Sequence, residues 1–216
     1  MNPLGYVFAR ARNSQVAAIA LAQRIIHGKV GDVYFAQVYA HKSSGITKDD
    51  LSRMKGRSIG FGVPISTSNF LVPAYELRQR GFHPLAAFSR VEFLGGHDNV
   101  AKAVYAGKVD LGAGHDGVIV DLAAQPGFGD AKDRLQTVLE SRPIPSDPIA
   151  VFIDNQNERT VLQEALVAAG KTPEGKDALA KFWGNAQGVS RTTPDAYDDL
   201  NASVNALALS ERDLIR

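Results

Sequence analysis

Cysteine is absent from the 216 residues, tryptophan occurs once and methionine twice. Without cysteine, thiolate zinc sites, thiol nucleophiles and disulfides are all excluded. The compartment is not thereby fixed, because cytosolic and bacterial periplasmic chains alike often lack it. An excess of either charge is missing too: 24 Lys and Arg stand against 23 Asp and Glu. A nucleic-acid or polyanion binder would need a basic surplus to neutralise phosphates, so that class is disfavoured. Long apolar runs are also lacking. Val16 to Ala22 and Pro148 to Ile153 fall far short of the roughly 20 residues that span a bilayer. No internal repeat or low-complexity segment is found. What remains is enough chain for one large domain or two small ones.

Arg10 and Arg12 followed by Val16 to Ala22 imitate a short secretory signal. The competing reading is an amphipathic helix continuing through Arg24 and Ile26. From Lys55 onward, short β-branched runs alternate with helix-length amphipathic runs separated by glycine, the α/β pattern. Strands are expected at Ser58 to Gly62, Val91 to Leu94, Val109 to Gly112 and Leu135 to Leu139. Helices are expected at Ser68 to Arg80, closed by Gly81, at Asp98 to Ala106, closed by Gly107, and at Gly117 to Ala124. Two extended segments, Val33 to Ala40 and Ile149 to Ile153, bracket this unit and read as a parallel pair of hinge strands. Helices over Glu158 to Ala169 and through Phe182, then a polar tail, complete the chain.

Three strand-to-helix junctions carry the chemistry. The first holds Ser66, Thr67 and Ser68 after Phe61-Gly62-Val63-Pro64-Ile65. Such a junction presents free backbone N–H groups and the positive end of a helix dipole at the carboxyl end of a strand, where open α/β sheets bind ligands. Three hydroxyls there can donate to an oxyanion without adding charge, although plain helix capping explains Ser or Thr equally well. The second junction, Gly95-Gly96-His97-Asp98, places an imidazole at a helix start; a solvated loop histidine is the alternative. The third is His115-Asp116, where Asp116 is either a ligand group or an N-cap. The stiff Pro143-Ile144-Pro145-Ser146-Asp147-Pro148 segment holds Asp147 near a crossing between lobes, or merely in a turn. No Walker loop, nucleophile elbow or metal-spaced histidine pair is present, and Gly112-Ala113-Gly114 is too weak a match to a dinucleotide fingerprint.

Together these residues resemble the phosphate/phosphite/phosphonate substrate-binding proteins of ABC transporters. The resemblance is carried by Lys55-Gly56-Arg57 leading into Phe61, Gly62, Pro64, Ser66, Thr67 and Ser68, then by Gly95 to Asp98. It continues in Ala103, Val104, Gly107 to Asp110, Gly112 and Ala113, in Pro143 to Pro148 and in Thr172 to Lys176. Upstream, Pro3-Leu4-Gly5-Tyr6 resembles a loop that supplies an aromatic wall, and Ser43-Ser44-Gly45-Ile46 resembles the turn after the first hinge strand.

The resemblance implies a type II periplasmic binding protein fold, α/β, with two lobes joined by two hinge strands. Lobe 1 would comprise 1–35 and 150–216, and lobe 2 would comprise 36–149. It implies that Ser66, Thr67, Ser68 and His97 hold the oxyanion, that Tyr6 lines the inter-lobe cleft, and that Asp116 and Asp147 stand nearest to the carboxylates that take the amine of an aminoalkyl phosphonate. It further implies no catalysis, no cofactor, no metal, a membrane permease as partner and a periplasmic or membrane-anchored extracytoplasmic location. Measured against family members, the first lobe is expected to be incomplete, with the signal peptide and opening strands outside this chain. A ligand-sensing domain of a larger receptor or kinase, a transferase using the hydroxyl cluster, and a non-binding remnant are the competing readings.

Overall fold

A computed structural model describes residues 1–26, 28–184 and 186–207. In chain order it runs α1 (Pro3–Arg12), β1 (Val16–Ile26), β2 (Lys29–Gly31), β3 (Val33–Tyr34), β4 (Ala36–His41) and β5 (Ser58–Phe61). A π turn (Thr67–Leu71) leads into α2 (Val72–Gln79), followed by β6 (Arg90–Phe93), α3 (His97–Tyr105), β7 (Leu111–His115), α4 (Val118–Ala123), α5 (Ala131–Arg134) and β8 (Leu135–Glu140). Then come β9 (Ile144–Pro145), β10 (Pro148–Phe152), α6 (Gln156–Ala169), α7 (Pro173–Trp183), β11 (Gly188–Arg191) and α8 (Asp198–Leu207). Two compact units result, one from Met1–Tyr34 with Pro143–Ala202, the other from Phe35–Arg142 with the described residues from Ser203 on. Among the described residues no helix is long and apolar enough to cross a membrane.

The first unit is built on β1. Its sheet has the order β10-β1-β11, with β2 folded back on the far end of β1. Val16 to Ile26 is thus a strand, not the amphipathic helix expected there. Ala17 to Ala22 are all buried, the mark of a central strand covered on both faces, and such an uninterrupted apolar run carries no period that separates strand from helix. Pairing decides the matter: β1 is antiparallel to β10 from Val16 opposite Phe152 to Leu21 opposite Pro148, and to β11 from Ala20 opposite Arg191 to Gln23 opposite Gly188. The polar tail therefore supplies a core strand and the helix α8. Gln163 of α6 pins that helix to the sheet, its Nε2 donating to the carbonyls of Ile19 at 2.6 Å and Thr192 at 2.9 Å.

The segments flanking the crossings differ from the expected parallel pair. Ile149 to Ile153 belongs largely to β10, antiparallel to β1, while β3 and β9 pair antiparallel with Val33 opposite Pro145 and Tyr34 opposite Ile144. The return crossing consequently falls between Arg142 and Pro143, several residues ahead of the expected place.

In the second unit the five-stranded sheet has the order β6-β5-β7-β4-β8; β6, β5 and β7 are parallel, and β4 and β8 run antiparallel to their neighbours. The α/β reading holds here. Gly81 and Gly107, with φ of +83° and +67°, end α2 and α3 in the left-handed conformation that glycine adopts without strain. One face of the sheet packs Tyr39, Val100, Val104, Val109, Val118 and Leu122 into a single cluster. Phe61, pointing the opposite way from Gly60, meets Phe70 edge-on with ring centres 5.1 Å apart. The central β7 is glycine-rich for a packing reason: a Cβ on Gly112 would lie 2.7 Å from Val104 Cγ2 and 2.8 Å from the Tyr39 ring.

Gly112→Ala is therefore expected to destabilise the protein by about 1–3 kcal/mol through overpacking, whereas Gly129→Ala, where an added Cβ meets nothing within 4 Å, should change stability by less than about 0.5 kcal/mol. Urea unfolding of the two variants checks the contrast.

Candidate functional site

Because β6, β5 and β7 are adjacent and parallel, the three junctions that follow them lie along one edge of the second unit's sheet, at the carboxyl ends of its strands. Ser66, Thr67, Ser68, His97 and Asp116 are thereby gathered on a single rim. Side-chain contacts tie the junctions together. His97 and His115 rings meet edge to face with centres 4.7 Å apart, linking the second to the third. Asn69 links the first to the third by donating from Nδ2 to the Ala113 carbonyl at 2.5 Å.

Asn69 also shapes the first junction. Its backbone carbonyl accepts from Gly62 N–H at 3.1 Å, its own N–H donates to Ser66 Oγ at 3.2 Å, and its side chain lies so close on Gly62 that a Cβ there would be 1.5 Å from Oδ1. Ser66 N–H donates to Val63 O at 2.9 Å, completing the turn. Ser66 is thus a cap whose own hydroxyl proton still points elsewhere, while Thr67 and Ser68 are buried, 2% and 5% exposed. The capping and ligand readings of this tripeptide are compatible: one hydroxyl caps and two face inward.

His97 opens α3 after Gly95, which sits at φ +92°. Burial, and secondarily repulsion from His115, push its pKa down to about 4. It is accordingly neutral near pH 7. Nδ1 is sealed from solvent with no hydrogen-bond partner, so Nε2 is the nitrogen through which a ligand can be met. His115 is held by its own surroundings: Nδ1 accepts from Gly117 N–H at 3.1 Å, which leaves the ring proton on Nε2, 3.4 Å from Asp121 Oδ2. Asp116 is half-buried, and its N–H donates to Phe35 O at 3.0 Å.

Tyr6 and Asp147 lie in the first unit. Pro3-Leu4-Gly5-Tyr6 is not a loop but the first turn of α1, capped by Asn2 Oδ1 accepting from Gly5 N–H at 2.7 Å with Pro3 at the first helical position. Tyr6 is fully buried, its hydroxyl accepting from Ala18 N–H at 3.1 Å and its ring 4.8 Å from Tyr197. Asp147 forms an ion pair with Arg24, Nη2 to Oδ2 2.5 Å. Asn69, His115 and Arg24 were not singled out for their own roles by the sequence. Asn69 could have been, as the residue closing the Ser-Thr-Ser turn; Arg24 could not, since 123 residues separate it from Asp147.

Among the described residues no group of three or more His, Cys, Asp or Glu could hold a metal ion. The rim's hydroxyls and the His97 imidazole are neutral donors, and Asp116 is a carboxylate beside them; donors of this kind suit reversible binding of an oxyanion.

The family model described as "ABC transporter, phosphonate, periplasmic substrate-binding protein" matches residues 1–197. The chain is 30% identical over 153 residues to the phosphonates-binding periplasmic protein of Escherichia coli (strain K12), an alignment covering 69% of this chain and 44% of that protein; it spans less than half the length of this curated relative. Among solved structures, PhnD1 from Prochlorococcus marinus (MIT 9301) in complex with methylphosphonate aligns with a TM-score of 0.73 at 20% identity, covering 96% of this chain and 76% of that one. A Xanthomonas citri protein bound to ATP aligns with a TM-score of 0.77 at 20% identity, covering 100% of this chain and 78% of that one. These likenesses agree with the architecture, and the family match covers most of the sequence: the chain belongs to the family of periplasmic substrate-binding proteins of phosphonate ABC transporters.

Proposed function

We propose that this chain binds a phosphonate, phosphite or phosphate-like oxyanion without converting it, as the extracytoplasmic solute-binding part of an ABC importer whose permease is its partner. The observation that carries the reading is the convergence of three strand-to-helix junctions on one sheet edge with uncharged donors. Ser66, Thr67 and Ser68, helped by backbone N–H groups at the turn, hold the oxyanion; His97, neutral, adds a further donor through Nε2. Asp116 stands beside them. Of the first unit's candidate residues, Asp147 is engaged by Arg24 and Tyr6 is fully buried. Neutral donors hold a buried oxyanion firmly while leaving release feasible, which delivery to a permease demands. Among the described residues no base is paired with Ser66 or Ser68 to activate either as a nucleophile, which supports a reading of capture without turnover.

Thr67→Ala and His97→Ala should each weaken methylphosphonate or phosphate binding at least tenfold, each removing a charge-assisted hydrogen bond worth about 1.5–3 kcal/mol. Calorimetry checks this, and unchanged affinity in both variants refutes the assignment. Gly62→Ala should abolish binding because its Cβ would occupy the place of Asn69 Oδ1; pairing it with Asn69→Gly should restore the fold, read by circular dichroism, but not the affinity.

His97 also sets a pH dependence. Its folded-state pKa, about 4, lies below the ordinary 6.5. Above pH 6.5 both states are neutral and nothing is lost; as pH falls towards 4 the unfolded chain takes the proton first, removing up to roughly 3 kcal/mol of stability. His97→Gln should therefore lose less stability between pH 6.5 and 4.5 than the parent in urea unfolding.

A further inference from the structure

We propose that His115 is a positioning residue of the oxyanion site, its ring holding the His97 imidazole in place where a hydrogen bond ordinarily does so, an inference that rests on the oxyanion-binding reading above. A histidine that presents one ring nitrogen to a ligand is as a rule oriented by a hydrogen bond at the other. His97 has none: its Nδ1 is sealed from solvent and, among the described residues, without a hydrogen-bond partner. Two residues without side chains, Gly95 at φ +92° and Gly96, lead into it. What lies against the ring is His115, edge to face, with 4.7 Å between centres and 67° between planes.

His115 is fixed where His97 is not. It ends β7 opposite Ala36 of β4, and the next residue's N–H donates to Phe35 O at 3.0 Å, so the backbone that carries the ring is held on the strand ladder. Its Nδ1 accepts from Gly117 N–H at 3.1 Å, and a Cβ on Gly117 would lie 3.2 Å from both Nδ1 and Cε1. Gly117 has φ −89°, which any residue adopts, so glycine here leaves room for the His115 ring. Asp121 contributes less to holding that ring, Oδ2 standing 3.4 Å from Nε2 on a side chain 64% exposed. An edge-to-face aromatic pair is worth roughly two- to tenfold in an equilibrium constant. That is enough for the contact to decide how well Nε2 of His97 is aimed.

The test is calorimetry with methylphosphonate on the full 216-residue chain, run as a double-mutant cycle. His115→Ala is expected to weaken binding about threefold or more in the parent, and by less than about 1.5-fold once His97→Ala is present, because the residue it positions is then gone. His115→Phe keeps an aromatic ring for His97 and loses the Gly117 bond, whereas His115→Asn can keep that bond but has no ring. The first is expected to bind within about twofold of the parent and the second to be as weak as His115→Ala. Should His115→Ala fail to fold, judged by circular dichroism, His115→Asn takes its place in the cycle. No loss in the parent, the same loss in both backgrounds, or His115→Phe binding no more tightly than His115→Asn overturns the proposal while the oxyanion reading survives. A parent that binds neither methylphosphonate nor phosphate refutes the oxyanion reading itself.

Discussion

The interlock of Asn69 with Gly62 and Ala113 is the constraint on which the second unit's rim depends. An oxyanion gains from hydrogen-bond donors only if they are aimed before it arrives, because donors that must reorganise on binding lose part of what they contribute. A loop after β5 is by itself free to wander. Asn69 removes that freedom by three routes at once: its side chain fills the space that Gly62 leaves empty, its backbone closes the turn, and its amide reaches the end of β7 at 2.5 Å. The π turn that follows carries Thr67 and Ser68 inward. With Asn69 joining the first junction to the third, and His97 set against His115, the rim's three junctions are tied to one another by side-chain contacts.

The two units differ in how they are assembled. The second is nearly continuous in sequence, and its parallel strands are joined by short crossovers. The first joins β1 to β10 and β11, more than 120 residues later, so its sheet closes a very long loop before any pairing energy is returned. The second unit is accordingly the one expected to form early, with the first assembled around β1 afterwards. Packing points the same way. Neither α6 nor α7 has a buried residue, and Val161 and Phe182 are 69% and 75% exposed, so the stability of the first unit rests chiefly on the strands around Ala17 to Ala22.

Much of the second unit is legible in the sequence, because glycine punctuates it: helices end at Gly81 and Gly107, and the strands before and after are too short for any other assignment. The misplacement of β7 by two residues has a local cause. Asp110, read as strand, instead accepts the N–H and hydroxyl of Ser58 at 2.9 and 2.6 Å, and the strand begins only after that anchor. The first unit is far less legible. Val16 to Ile26 has no period, its partners lie at the other end of the chain, and a tail that looks merely polar supplies one of them. The rim residues could be named from the junction pattern; the engagement of Asp147 by Arg24 could not, since no local rule connects two residues 123 apart.

The oxyanion end of the proposed ligand is consequently exposed to changes in residues that need touch no ligand. A Cβ at Gly62 would lie 1.5 Å from Asn69 Oδ1, and because Asn69 also closes the turn and holds the Ala113 carbonyl, displacing it disturbs all three contacts at once.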